Sequence, residues 1–304
     1  MAGIITTGSH PKLLWPGVKA IWGQVYDEHQ EEFPALFETD RSEKNYEEDV
    51  QVTGFGLAPV KPQGQGTAYD SELQGPIQRY THVAYGLGYI VTYEELRDNL
   101  YMEVSRRRAR ALAMSFRQTK ENVAANVYNL AFSGTQVLAD GVSLINTAHP
   151  NTSGGTYSNQ LATAANLSEA ALEDMLIQIA GATSDRGLLI NLQSQSLHIP
   201  RQLFFTANRI VKSVFQTGTA NNDVNVVSAI NAFPKGIHMN HYFSSSTAWF
   251  IRTNCPNGMK HYIREEVDFD QDNDFDTKNA KAKGYERYSF GATDPRGVFG
   301  SQGS

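Results

Sequence analysis

The stretch EELRDNLYMEVSRRRARALAMSFRQTKENVAANVYNLAF, residues 94–132, runs without a proline or glycine. Leu96, Leu100, Val104, Leu112, Phe116, Val123, Val127 and Leu130 fall on one stripe at helical spacing. Thr92 with Glu95 three residues later supplies a capping start, and Ser133-Gly134 supplies a stop. At 1.5 Å per residue such a helix spans about 60 Å, far beyond the roughly 10–14 residues usual in globular domains. The spacing therefore predicts a strut around which the rest of the chain is organised. Arg106, Arg107, Arg108, Arg110 and Arg117 cluster on it, preceded by Glu94, Glu95, Asp98 and Glu103. Acid before base at that spacing reads as a solvated face with ion pairs, the alternative being contact with a polyanion.

Upstream of the strut the pattern changes to period two. Val50, Val52, Phe55 and Leu57 precede a break, and Ile77, Tyr80, Val83, Tyr85 and Tyr89 follow it. The break, Ala58 to Glu72, is rich in proline, glycine and polar residues and cannot close as a two-residue turn. It predicts a long projecting hairpin. Two strands standing away from a core bury too little surface to be stable alone, so a neighbouring subunit is expected to cover them; a mobile surface loop is the other reading. Further upstream, Leu14, Val18, Ile21, Trp22 and Val25 predict a short amphipathic helix between Pro11 and His29. An arm carrying Trp15 and Trp22 packs either on its own domain or on another chain.

Downstream, Val137 to Ile145 reads as a short hairpin through Ala-Asp-Gly, and residues 146–159 as a loop. Ser168 is expected to cap a helix to Ala180, Ser196–Pro200 to form a strand entering a helix over Arg201–Phe215, and Gly236–Thr253 to form strands. These elements make an α/β module over residues 166–256. The chain returns to strands over Met259–Phe269 and Tyr285–Phe299.

Composition narrows the function. Of 304 residues, 40% are hydrophobic and 19% charged, which is globular rather than disordered. The net charge of −6 gives no global attraction to a polyanion. Cys255 is the only cysteine, so neither an intrachain disulfide nor a cysteine-rich zinc site can form. The first residues lack a basic segment followed by an apolar one, and no run reaches 18 apolar residues, so neither a secretory signal nor a membrane-spanning helix is read; synthesis in the cytoplasm is the expectation. Phosphate-loop, dinucleotide, nucleophile-elbow and His-Glu-x-x-His motifs are all missing. His238 and His241 lack further ligands nearby and read as structural. Asp268, Asp270, Asp272, Asp274 and Asp276 alternate, which in an extended chain puts their carboxylates on one side about 6–7 Å apart. That is an acidic edge or a calcium surface, although neither register meets the EF-hand pattern.

An apolar arm, a projecting hairpin, a strut helix, an α/β module and a return to strands together resemble the Hong Kong 97 (HK-97) fold of tailed-phage major capsid proteins. Three stretches are similar to family sequence: Gly88-Tyr-Ile-Val-Thr-Tyr-Glu-Glu-Leu96, Ile145-Asn-Thr-Ala-His-Pro-Asn-Thr-Ser-Gly-Gly-Thr156, and Arg287-Tyr-Ser-Phe-Gly-Ala-Thr-Asp-Pro-Arg-Gly-Val-Phe-Gly300. The middle one resembles Mu-like prophage head subunits. The resemblance implies an α+β HK-97-like subunit: N-terminal arm 1–48, E-loop 49–82, peripheral domain with spine helix 83–165, axial α/β domain 166–256, and return strands with the C-terminal segment 257–304.

It further implies a self-assembling icosahedral shell of pentamers and hexamers enclosing double-stranded DNA without sequence specificity. Catalytic residues, cofactors and metal ligands are not expected, nor is a membrane partner. Phe55, Leu57, Val60, Lys61 and Tyr69 of the E-loop are expected at inter-subunit contacts, Arg106, Arg107 and Arg110 toward the lumen and DNA, and Trp15 and Trp22 in arm packing. No scaffolding segment is read before the arm, which by the resemblance implies a separate scaffold protein, no scaffold, or a chain already processed; scaffold, portal and decoration proteins are the other partners it suggests. The expected location is the virion, after synthesis in the host cytoplasm. Two alternatives stand beside this reading: an encapsulin-type shell around a protein cargo, and a soluble metal-dependent hydrolase using Asp268–Asp276.

Overall fold

A computed structural model describes residues 30–98, 101–215 and 223–303, with the side chains of 96–106 left aside. Trp15, Trp22 and the helix expected over Pro11–His29 lie outside the described residues, as does the side chain of Arg106.

Two four-stranded sheets carry the fold. The first, peripheral sheet has the order β1 (Glu38–Arg41), β10 (Met259–Asn273), β11 (Ala280–Ala292), β4 (Val83–Val91), with β1 parallel to β10 and the other pairs antiparallel. The second has the order β12 (Val298–Ser301), β9 (Trp249–Thr253), β7 (Ser194–Pro200), β8 (Ile237–Asn240). β2 (Tyr46–Val52) and β3 (Gln74–Thr81) form a separate two-stranded ribbon, and β5 (His149–Pro150) pairs with β6 (Thr156–Tyr157). Among the described residues six α-helices connect them: α1 (Phe33–Leu36), α2 (Tyr93–Asp98), α3 (Tyr101–Asn129), α4 (Glu169–Ala180), α5 (Phe204–Lys212) and α6 (Val226–Ala229).

The expected strut is two segments. Thr92 caps α2 through the Glu95 N–H at 3.3 Å, as its sequence predicts. In one straight helix Glu95 and Arg108 would stand about 20 Å apart along the axis. Instead the Arg108 guanidinium meets the Glu95 carboxylate at 2.6 Å, so α2 and α3 are not one rod. The 29 residues of α3 still span about 43 Å and form the spine. Its buried face is written largely in alanine: Ala109, Ala113, Ala124 and Ala125 sit with Leu112, Phe116, Val127 and Tyr128, while Leu130 is exposed. Small side chains let the helix axis approach its neighbours closely, a signal that a stripe of large apolar residues does not report.

α3 crosses the inner face of the peripheral sheet, where Ala109, Leu112, Ala113 and Phe116 pack on Phe269 and Ala282. Gly284 allows this: a Cβ there would lie 2.5 Å from the Phe116 ring. Lys120 pairs with the fully buried Glu286 of β11 at 2.7 Å. The α/β layer is held by Leu172, Met175 and Ile179 of α4 against Leu197, Ile199, Trp249, Ile251 and Phe299. Ser168 caps α4 by accepting the Ala171 N–H at 3.2 Å, as predicted. Phe33, Phe37, Tyr128, Ile145, Phe250, Met259 and Val298 join the two layers.

The sheets draw their strands from several segments of the chain. β12 belongs to segment 257–304 yet completes the sheet of segment 166–256 by pairing with β9. β1 belongs to segment 1–48 yet forms an edge of the peripheral sheet. Strand pairing is non-local, so chain segments and sheets need not coincide.

Several histidines lie inside. His261 stacks on Phe290 with ring centroids 4.1 Å apart, and burial together with nearby Lys120 pushes its pKa down to about 3. Burial also lowers His198, which stacks on His238, and His82, held between Ser42 and Ser289. Their folded pKa values lie below the unfolded value near 6.5, so the associated stability is present above that pH and is lost as pH falls. Glu121, raised by burial, offsets part of the loss only in the carboxylate range. The urea midpoint is expected to fall steadily from pH 7 to pH 5, and His261→Gln to flatten that slope. An unchanged slope in the variant would show that His261 does not carry it.

Candidate functional site: an assembly surface

The ribbon is built to project. β2 and β3 pair from Tyr46↔Thr81 to Val52↔Gln74, and the Thr53 N–H then donates to the Leu73 carbonyl at 3.1 Å while the Leu73 N–H donates to Thr53 Oγ1 at 2.9 Å. Beyond this clasp no further strand forms. Pro59 and Pro62 cannot donate to a ladder, and Gly64 takes φ +81° in the open.

The root, by contrast, is fixed. Tyr262 and Thr293 hydroxyls donate to Asp49, the Gln51 side chain donates to the Thr293 carbonyl at 2.6 Å, and the Tyr80 and Thr293 hydroxyls meet at 2.6 Å. A Cβ at Gly291 would lie 2.8 Å from the Tyr80 ring, so this contact needs glycine. Midway along, Asp70 accepts the Gly56 and Ser71 N–H groups, each at 2.8 Å, and pairs with Arg186 at 3.0 Å. Those N–H groups, with Arg186 second, hold its carboxyl below the usual range.

All five residues expected at inter-subunit contacts lie on this ribbon and face solvent. Phe55 is 63% exposed, Leu57 81%, Val60 94% and Tyr69 96%; Lys61 is exposed too. Monomeric surfaces rarely carry so many large apolar groups on one projection.

The arginine cluster separates in space. Arg107 and Arg110 are exposed on α3, Arg108 is spent on Glu95, and Arg117 is buried against Glu31. The aspartate run splits likewise: Asp268, Asp270 and Asp272 line β10 opposite Tyr285, Lys283 and Lys281, while Asp274 turns into the hairpin tip and pairs with Lys281 at 2.5 Å. No group of three or more metal-ligating side chains occurs among the described residues.

Sequence reading missed two features. Phe205, Val214, Phe215, Val224, Val226 and Ile230 are exposed together around α5 and α6, where Phe215 bridges Val224. The signal was there, since α5 places Phe205 on one side and Ala207 and Ile210 on the buried other. The second is that the middle and last quoted motifs meet. Arg296 pairs with Asp185 at 2.9 Å, donates to Asn151, and lies 3.9 Å over the Tyr157 ring. Asn159 donates to the Leu144, Pro295 and Val298 carbonyls, and its Oδ1 lies 3.1 Å from His149 Nε2. The motifs therefore fasten the two layers together.

A sequence profile described as phage capsid protein matches residues 77–300. The chain belongs to that family. The match takes in the second ribbon strand from Ile77 onward, the spine and both sheets, except the edge strand β1 and the last residue of β12. Among solved structures, the capsid of Myoviridae phage XM1 aligns over 100% of both chains at 11% identity, with a TM-score of 0.54. A structure from Mycobacterium phage Adephagia covers 99% of each chain at 11% identity, with a TM-score of 0.54. The virus-like particle from Pyrococcus furiosus covers 94% of this chain and 98% of its own at 11% identity and 0.53. At such identities these likenesses show the fold, which is the HK-97-like α+β fold expected. No curated protein sequence matches. The chain is thus a phage capsid protein with the HK-97-like fold.

Proposed function

We propose that copies of this capsid protein close an icosahedral shell of pentamers and hexamers around double-stranded DNA, each laying residues 53–73 over an adjacent subunit. The observation that carries this is the ribbon itself, anchored at its root by Asp49, Gln51 and Tyr80 and bare at Phe55, Leu57, Val60 and Tyr69. The exposed apolar group around α5 and α6 supplies a second self-contact, suited to subunits gathered about a symmetry axis. With a net charge of −6, the subunit offers DNA local cations only, and Arg107 and Arg110 of the spine supply them.

Light scattering of the purified protein tests the assembly. Particles of megadalton mass are expected, and a small oligomer would refute the reading. Particle contents decide the cargo: nuclease-protected DNA supports the phage head, whereas a co-purifying protein cargo without nucleic acid would replace it with a cargo shell.

A further inference from the structure

The two edges of the peripheral sheet are unlike. β1 is four residues long and carries Glu38, Asp40 and Arg41, the short charged edge that discourages a further strand. β4 is nine residues, Val-Ala-Tyr-Gly-Leu-Gly-Tyr-Ile-Val, with no charge and no proline. Among the described residues nothing pairs with its outer side, and Val83, Leu87 and Ile90 are at least half exposed. A long, uncharged open edge is a template for strand addition, so a subunit that keeps one has a partner for it.

The ribbon offers a matching strand. Gly54-Phe55-Gly56-Leu57-Ala58 alternates small and large side chains as Ala84-Tyr85-Gly86-Leu87-Gly88 does, and neither run bears a charge that pairing would bury. Gly56 gives its N–H to Asp70 inside the loop. In an extended chain successive N–H groups point to opposite sides, so an extended 55–57 directs those of Phe55 and Leu57 away from Asp70. Among the described residues they have no backbone partner. A subunit cannot use its own ribbon here. β3 runs into β4 through the single residue His82 without pairing with it, so ribbon and edge leave opposite ends of one continuous run.

We propose that residues 55–58 of one copy add as a fifth strand to the outer edge of β4 in a second copy, with Leu57 opposite Leu87 and Phe55 and Leu57 extending the row of Val83 and Leu87. This rests on the reading that the ribbon lies over a neighbour, and it names the surface that receives it. Leu57→Cys combined with Leu87→Cys, oxidised in assembled particles, is expected to give a ladder of covalent multimers on a non-reducing gel, because the pairing brings Cα atoms within the roughly 7 Å a disulfide requires. Each single variant is expected to stay monomeric on that gel; native Cys255 is buried. Particles of the double variant that show no ladder would overturn strand addition while leaving the shell intact. Leu87→Lys gives an independent reading: subunits with unchanged circular dichroism and melting, and loss of particles. Normal particles from this variant would also overturn the proposal, whereas failure of the unaltered protein to form any particle would strike the shell reading instead.

Discussion

Deleting Pro59–Asp70 is expected to leave a folded subunit that forms no shells. Inside the subunit the deleted stretch contributes the Asp70 contacts to Gly56, Ser71 and Arg186, and the rest of it points into solvent. Exposed ion pairs of this kind contribute little, and shortening a loop changes its closure entropy by only about 0.6 kcal/mol per halving. The Thr53–Leu73 clasp and the Asp49–Thr293 root both remain. Thermal unfolding of the isolated subunit should therefore move by a few degrees at most, while sedimentation and electron microscopy show particles absent. On the proposed reading Val60, Lys61 and Tyr69 meet a neighbour in the shell, and all three go with the deletion. A deletion variant that yields normal particles would remove the ribbon from the assembly surface.

Lys120→Met should have the largest effect on the subunit itself. Glu286 is wholly buried in β11 beneath the spine, and Lys120 provides its cation at 2.7 Å while lying 5.1 Å from the centre of the Tyr288 ring. Removing one partner of a buried pair leaves a desolvated charge and costs about 3–5 kcal/mol, a large share of the roughly 5–15 kcal/mol that holds a domain together. The double variant Lys120→Met with Glu286→Leu should recover most of that loss, because an apolar pair of similar volume is often as stable as the ion pair it replaces. Urea unfolding of the two variants beside the unaltered protein measures both quantities. A single variant losing under about 1 kcal/mol would mean the pair is not what couples spine and sheet. The same substitution should lower particle yield, since an undocked spine leaves both the β4 edge and the ribbon root without support.

Much of this was legible in the chain. Thr92 and Ser168 announced helix starts by side-chain chemistry that acts within three residues, and both caps are present. Alternation at Val50–Val52 and Ile77–Tyr80 marked the ribbon, and the prolines and glycines between them marked its open end. The exposure of Phe55, Leu57, Val60 and Tyr69 was legible because large apolar side chains set among turn formers have no local core to enter. Less legible was everything that depends on two distant segments meeting. The break between α2 and α3 shows only through Glu95 and Arg108, which helical periodicity would keep far apart. The Arg296 contacts to Asp185 and Asn151 and those of Asn159 to Pro295 and Val298 join residues more than a hundred positions apart, and the exposed group around α5 and α6 assembles from three short segments.

The amino-acid order alone thus determined the kinds of element, the projecting ribbon and its unburied apolar side chains, because propensity, capping and hydrophobic period act over a few residues. Tertiary structure alone decided that β12 leaves its segment for the other sheet, that Lys120 answers Glu286, and that β4 rather than β1 is the open uncharged edge. Those outcomes depend on which distant strands share a ladder, and pairing free energy between remote segments has no signature in either partner read singly.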